Sequence, residues 1–271
     1  MKSQNIFLTA GLLLGSFLAM TTTAQAASFT TNFTPNNPDP KSDILLQSIT
    51  QNGKTISNFS FLKSADIIYN SPKSIGINNT GAASTDKGDK ASKPSYGVGP
   101  KEDPTGADIA AYLGNNNLNN IIDTEDTGSF NINVFFDSLI QADNSGLDSL
   151  FFWERGRNSD LQIQALDTAG NLIGNALTLL RSQQGNAGFR IDTTEISGSQ
   201  AVGTWGVNLN QLGVTGLRGL KLTSHASFNG PDFKVVARKT PEPGVIIGLG
   251  TVATLAFLRR RVNKAVLNSA N

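Results

Sequence analysis

The chain has 271 residues, with 22 Lys and Arg against 21 Asp and Glu, and a formal net charge of +1. It contains no cysteine and one histidine, which excludes disulfides, thiolate metal sites, cysteine nucleophiles and histidine-rich zinc sites. Residues 27–240 carry 17 Lys and Arg against 20 Asp and Glu, a net charge of −3. A mildly acidic body disfavours nucleic-acid binding, which depends on concentrated positive charge.

The first 26 residues predict a signal peptide. Lys2 gives a positive start, residues 6–20 form an apolar core, and Ala24 and Ala26 match the small-x-small pattern that signal peptidase cleaves. We therefore expect an exported protein whose mature chain begins at Ala27, with signal peptidase as a transient partner.

Residues 71–106 differ in composition from the rest of the body. Lysines and acidic residues alternate there among Gly, Ser and Pro, and large apolar residues are nearly absent after residue 80. Such a segment buries too little apolar surface to fold alone, so it predicts a long polar loop or a flexible insertion. Tyr96 is the one aromatic residue expected to be exposed, which makes it a weak candidate for carbohydrate binding.

Helical signal is sparse. Asp108 is a candidate N-cap for a short helix that runs to Leu113. Leu118, Ile121 and Ile122 have the spacing of one or two further helical turns. These segments predict a connection between strands, with no helical domain.

The rest of the body alternates apolar and polar residues with a period of two, which is typical of half-buried strands. The clearest runs are residues 130–134, 161–165, 205–209 and 233–237. The turn at 167–171 predicts a hairpin with the following run, Leu172 to Leu179. Residues 150–153 are all apolar, which indicates a central strand covered on both faces or a bulge. The predicted fold of residues 27–240 is all-β, an antiparallel β-sandwich of jelly-roll type.

Glu154 is the carboxylate with the strongest catalytic case. A glycoside hydrolase needs a second carboxyl group nearby, and Asp148 or Asp160 could supply it. The alternative is a structural carboxylate paired with Arg155 at a strand end. Residues 143–148 offer oxygen ligands for Ca²⁺ but lack the full EF-hand spacing, so a polar turn is the competing interpretation.

Carbohydrate binding is a further hypothesis for the body. Sugar-binding sandwiches combine aromatic faces with amide and carboxylate side chains, and this chain is rich in Asn. The aromatic candidates are Trp153, Trp205, Tyr69, Tyr96 and Tyr112. The two tryptophans have apolar alternation partners, which favours a place in the core instead.

The C-terminal region has three consecutive parts. Pro241, Glu242 and Pro243 form a stiff extended tripeptide, and the 15 residues 244–258 are apolar. As a helix this stretch would be about 22 Å long against a hydrocarbon core of about 30 Å, which is short for a permanent span. The basic stop that follows predicts a cytoplasmic tail, 262–271, and an exported body. The stop consists of Arg259, Arg260 and Arg261.

This arrangement resembles the PEP-CTERM sorting signal of Gram-negative bacteria. The resemblance implies that exosortase, a membrane transpeptidase-like enzyme, recognises the tripeptide and processes the chain near it. The body also resembles the exosortase-dependent surface proteins of cyanobacteria, at residues 148–156 (DSLFFWERG), 167–171 (DTAGN) and 230–236 (GPDFKVV). That family implies no enzymatic activity.

Three functions remain open on the sequence alone. The first is a non-enzymatic surface or extracellular-matrix protein that is sorted by exosortase and interacts with exopolysaccharide. The second is an extracellular glycan hydrolase that uses Glu154. The third is a purely structural envelope component. None of the three calls for a cofactor, apart from the Ca²⁺ considered above.

Overall fold

A computed structural model describes residues 29–72, 83–94 and 98–240. The predicted signal peptide (1–26), the predicted sorting signal (241–261), the predicted tail (262–271) and Tyr96 lie outside the described residues. Among the described residues no helix is long and apolar enough to cross a bilayer.

The fold is all-β, as the alternation predicts, and its strands pair in three antiparallel sheets. A three-stranded sheet contains β1 (Thr30–Thr34), β2 (Leu45–Gln51) and β3 (Lys54–Ile56). A five-stranded sheet has the order β11 (Leu172–Leu179), β10 (Leu161–Leu166), β14 (Gly216–Ser224), β8 (Phe130–Gln141) and β5 (Leu62–Asn70). A seven-stranded sheet has the order β12 (Gly185–Ile191), β13 (Gln200–Val207), β9 (Leu150–Arg155), β15 (Phe233–Arg238), β7 (Asn120–Thr124) and β6 (Ala83–Lys87), and β4 (Phe59–Ser60) also pairs with β15.

The seven-stranded sheet has a hydrophobic core on each face. Strand β9 lies in the middle of this sheet, and its side chains alternate between the two cores. Leu150 and Phe152 join the cluster shared with the five-stranded sheet, whereas Phe151 and Trp153 join the cluster shared with the three-stranded sheet. A strand in this position needs apolar residues on both faces, which explains the unbroken apolar run at 150–153. The expected central strand is therefore confirmed.

The predicted hairpin is also confirmed. Strands β10 and β11 pair antiparallel across the turn at 167–171. Asp167 Oδ1 accepts hydrogen bonds from the backbone N–H groups of Ala169 and Asn171, which fixes the turn. Trp153 and Trp205 are both buried, as their alternation partners predict.

The two helical predictions meet different outcomes. A helix, α1, covers Gly106–Leu113, but its N-cap is Thr105, and Asp108 is the N3 residue of a capping box. The expected helical turn at Leu118, Ile121 and Ile122 is wrong, because residues 120–124 form β7. Both isoleucines of this strand are buried, on the two opposite cores of the seven-stranded sheet, and burial on both faces removes the alternation that signals a strand.

The prediction of a polar loop over 71–106 is wrong for residues 83–87. These residues form β6, a strand that pairs with β7 along its whole length and is buried at every position. The strand is stabilised by polar contacts, since Asp86 accepts hydrogen bonds from Thr194 and the backbone N–H of Glu195. Composition alone could not show these partners, which lie more than 100 residues away along the chain.

Candidate functional site

Arg155 is the centre of a buried charge network at the end of β9. Its guanidinium donates to Asp232 Oδ2 at 2.7 Å, to Asp123 Oδ2 at 2.8 Å and to the hydroxyl of Thr193. The arginine side chain is fully buried. The predicted pairing of Glu154 with Arg155 is therefore wrong, because neighbouring residues of a strand point to opposite faces of the sheet.

Asp123 and Asp232 share this one guanidinium. Asp232 has the stronger set of donors, because the backbone N–H of Thr124 also binds its second oxygen at 2.8 Å. Burial and the neighbouring negative charge of Asp232 raise the pKa of Asp123 well above its ordinary value, against the opposing effect of Arg155. The network therefore holds one carboxylate firmly and favours a proton on the other.

An acidic cleft of about 460 Å³ lies beside this network. Five carboxyl groups line the cleft, together with Thr124, Thr127 and Ile196. They belong to Asp123, Glu125, Asp126, Glu195 and Asp232. The charge of this lining suits cations and repels anionic ligands.

Two groups of three carboxylates near the cleft have the spacing of a divalent-cation site. The groups have Glu195 in common, and within each group one oxygen atom per residue lies within 4.8 Å of the others. They are Asp86, Asp123 and Glu195, and Glu102, Glu125 and Glu195. Oxygen ligands of this kind suit Ca²⁺. Asp86 already accepts hydrogen bonds from the hydroxyl of Thr194 and from three backbone N–H groups, so part of its bonding capacity is used within the protein.

The predicted Ca²⁺ ligands at 143–148 have protein partners. Arg238 donates to both oxygens of Asp143, at 2.6 and 3.0 Å, and holds the pKa of that carboxyl well below its ordinary value. Asp148 Oδ2 accepts a hydrogen bond from Gln51 at 2.7 Å. The segment therefore connects the turn before β9 to the end of β15.

Glu154 is completely buried, on the face of β9 that points toward the five-stranded sheet. Gln184 Nε2 donates to Glu154 Oε2 at 2.9 Å, whereas Glu154 Oε1 and Gln184 Oε1 are both buried without a hydrogen-bond partner. Burial, followed by the charge of Asp232, raises the pKa of Glu154 to about 8, so the carboxyl is protonated at neutral pH. A protonated carboxyl carries a donor as well as an acceptor, so it costs less than a carboxylate to bury beside an amide.

The carboxyls proposed as catalytic partners of Glu154 are engaged elsewhere. Asp160 binds Arg181 through both oxygens, at 3.1 and 2.9 Å. Asp148 is buried against Gln51. A raised pKa is what a general acid requires, but Glu154 has no solvent-exposed surface through which a polysaccharide could reach it.

The aromatic candidates occupy different environments. Trp153 donates to Thr31 and Trp205 donates to the carbonyl of Leu180, each from within a core. Tyr112 is also fully buried. Tyr69 remains exposed over 49% of its surface, on the outer edge strand β5.

Lys234 is a buried lysine that the sequence analysis did not single out. Its amine donates to the carbonyl of Tyr112 at 2.6 Å and to Asn115 Oδ1 at 3.2 Å, at the C-terminal end of α1. Burial lowers the pKa of Lys234 well below its ordinary value. The amine thus supplies donors to a helix end whose carbonyls have no partner within the helix.

Comparisons with protein-family models, with curated proteins and with solved structures find no match for this chain.

Proposed function

We propose that this chain is a non-enzymatic surface or extracellular-matrix protein that is exported across the inner membrane and processed by exosortase. The order of Pro-Glu-Pro, apolar stretch and arginine stop at 241–261 carries the proposal, together with the N-terminal leader. Exosortase and signal peptidase are its processing partners, and the membrane contact through 244–258 is transient.

The position of the last strand supports processing at this place. Strand β15 ends at Arg238, and the tripeptide begins three residues later, at Pro241. Arg238 binds Asp143 and the carbonyl of Asp148, so the end of β15 is held by contacts within the body. Cleavage near Pro243 would therefore remove neither a strand nor a core residue of the described fold.

The arrangement of the two larger sheets supports the sandwich part of the proposal. Both sheets contribute to one hydrophobic cluster, and the chain passes repeatedly between them from β7 to β10 and from β13 to β15. We retain the jelly-roll-like sandwich as the proposed architecture of the exported body, with the three-stranded sheet as an additional layer.

A C-terminal epitope tag in the native cell tests the sorting proposal. We expect the full-length tagged chain to lose its tag on maturation, and the triple variant Pro241→Ala/Glu242→Ala/Pro243→Ala to retain it. The control variant Lys264→Ala changes a charge outside the motif and should be processed like the parent chain. Loss of the tag from the triple variant at the normal rate would overturn the proposal.

The other two candidate functions have less support. Hydrolysis by Glu154 requires contact with a polysaccharide, and the carboxyl is fully buried. A purely structural envelope role differs from the main proposal only in the absence of a ligand, so a polysaccharide-binding measurement separates the two.

A further inference from the structure

The outer face of the five-stranded sheet carries a continuous row of polar side chains. Strand register places one residue from each strand side by side across the whole sheet. In order from β5 to β11, the row consists of Tyr69, Asn131, Thr223, Gln162 and Thr178. On β8, β14, β10 and β11 the flanking residues point inward, so the row belongs to the solvent side. On β5 the register shifts before Tyr69, and its neighbour Ile68 is also exposed.

A second row runs beside the first. It contains Asp66, Asn133, Lys221 and Gln164, again paired by strand register. The lysine and the aspartate are the charged residues of the two rows, and their charges cancel. The two rows are therefore rich in amides and hydroxyls and close to neutral.

An aromatic ring lies at the end of these rows. Phe135 follows Asn133 on the same side of β8 and pairs with Gly219 of β14. A Cβ added at Gly219 would come within 2.9 Å of the Phe135 ring, and one added at Gly170 within 3.7 Å. The ring therefore lies across the glycine toward the β10–β11 turn, where it presents an apolar surface beside the polar rows.

The amides in the first row are held in place while retaining unused hydrogen-bonding groups. Thr223 donates to Asn131 Oδ1 at 2.9 Å, and Gln162 Nε2 approaches Thr178 Oγ1 at 3.4 Å. Asn131 Nδ2 and Gln162 Oε1 then have no partner in the described part of the chain. Donors and acceptors fixed in this way lose little conformational entropy when a ligand binds.

These features fit a sugar polymer better than other macromolecules. Adjacent strands are about 4.8 Å apart, so the row spans roughly 19 Å with one polar group per strand. This spacing is of the same order as the rise per sugar unit in an extended glycan. Binding of nucleic acid requires concentrated positive charge, and binding of a protein usually requires an apolar centre. The two rows have neither feature.

We propose that the outer face of the five-stranded sheet binds a neutral, extended polysaccharide. Asn131 and Gln162 bind sugar hydroxyls, whereas Tyr69 and Phe135 pack against the apolar faces of the rings. The inference rests on the proposed function as a surface protein and assigns it a ligand class and a binding face.

Affinity electrophoresis of the full-length chain in detergent tests the proposal. Native gels would contain a neutral β-glucan, dextran or galactomannan, and a gel with alginate would supply an anionic polymer. We expect at least one neutral polymer to retard the wild-type chain. The double variant Tyr69→Ala/Asn131→Ala should bind that polymer at least about tenfold more weakly, because it loses a hydrogen-bonding amide and an aromatic surface.

The controls keep the result interpretable. Gln47→Ala removes a surface amide from the three-stranded sheet and should leave retardation unchanged. Tyr69→Ala alone alters an exposed side chain, so a drop in its affinity with an unchanged thermal unfolding curve supports the proposal. Absence of retardation by every neutral polymer, retardation by alginate alone, or equal retardation of wild type and the double variant would each overturn it. The mature C-terminus is measured separately, so failure here leaves the sorting proposal standing.

Discussion

At the residue scale, the described structure depends on a few buried polar side chains with very different environments. Arg155 binds two carboxyls, Glu154 pairs with an amide, and Lys234 binds the end of a helix without a carboxylate partner. A buried charge is costly unless it is paired, so removing each of these groups should have a different effect.

Replacement of Arg155 should be strongly destabilising. Arg155→Met leaves Asp123 and Asp232 buried without their cation, so we expect the free energy of unfolding to fall by about 3–5 kcal/mol. Denaturant unfolding at pH 7, followed by tryptophan fluorescence from buried Trp153 and Trp205, measures the change.

The matched control for that substitution is Lys234→Met. Burial lowers the pKa of this lysine, so the folded protein gains little stability from its positive charge. After the substitution, the carbonyl of Tyr112 still accepts a hydrogen bond from Asn115 Nδ2 at 3.2 Å. We expect a change within about 1 kcal/mol. Equal losses for the two variants would contradict the different roles assigned to the two basic side chains.

Glu154 should make stability depend on pH. Its pKa rises from 4.5 to about 8 on folding, so the folded state retains a proton that the unfolded state releases. This contribution is fully present below pH 4.5, declines as pH rises, and is lost above about 8. Glu154→Gln is neutral like the protonated carboxyl and retains an oxygen that accepts the hydrogen bond from Gln184 Nε2.

We therefore expect stability to decline more between pH 5 and pH 9 in the wild type than in Glu154→Gln. The difference should amount to several kcal/mol, since one pKa unit corresponds to about 1.4 kcal/mol. Because all other titrating groups are common to both proteins, parallel curves in the two urea titrations would show that Glu154 does not retain its proton.

At the scale of the elements, local sequence signals were sufficient to predict strands and turns whose pattern is set by neighbouring residues of the chain. The β10–β11 hairpin and the apolar run of β9 follow from periodicity and turn chemistry. Strand β6 could not be predicted in this way, because Asp86 and Lys87 are buried by contacts with Thr194 and with local carbonyls. The charge network around Arg155 was hidden for the same reason, as Asp123 and Asp232 are 32 and 77 residues away.

The capping box of α1 gives a prediction at this scale. Thr105 Oγ1 accepts from the backbone N–H of Asp108, and Asp108 Oδ2 accepts from the backbone N–H of Thr105 at 2.8 Å. Thr105→Ala should cost about 1 kcal/mol, because it removes the cap at one helix end. Thr105→Ser retains the hydroxyl and should lower the thermal midpoint much less. Identical midpoints for the two variants would argue against a capping role.

At the scale of the whole molecule, the first and last elements of the described body are both held by contacts within it. Phe29 packs in the core between the three-stranded and seven-stranded sheets, and β15 is held by Arg238 at its end. The sequence predicted the two ends of the chain as processing signals, and these lie outside the described residues. For the body between them, the sequence predicts the all-β class but no binding face. The polar rows of the outer face are aligned by strand register, and register is not visible in the sequence.

The intact mass of the mature protein from the native cell tests the central claim most directly. Removal of both signals predicts a chain that begins at Ala27 and ends near Pro243, with any group attached by the transfer reaction added at that end. A mass that corresponds to a chain continuing to Asn271 would contradict processing by exosortase and indicate an ordinary membrane anchor.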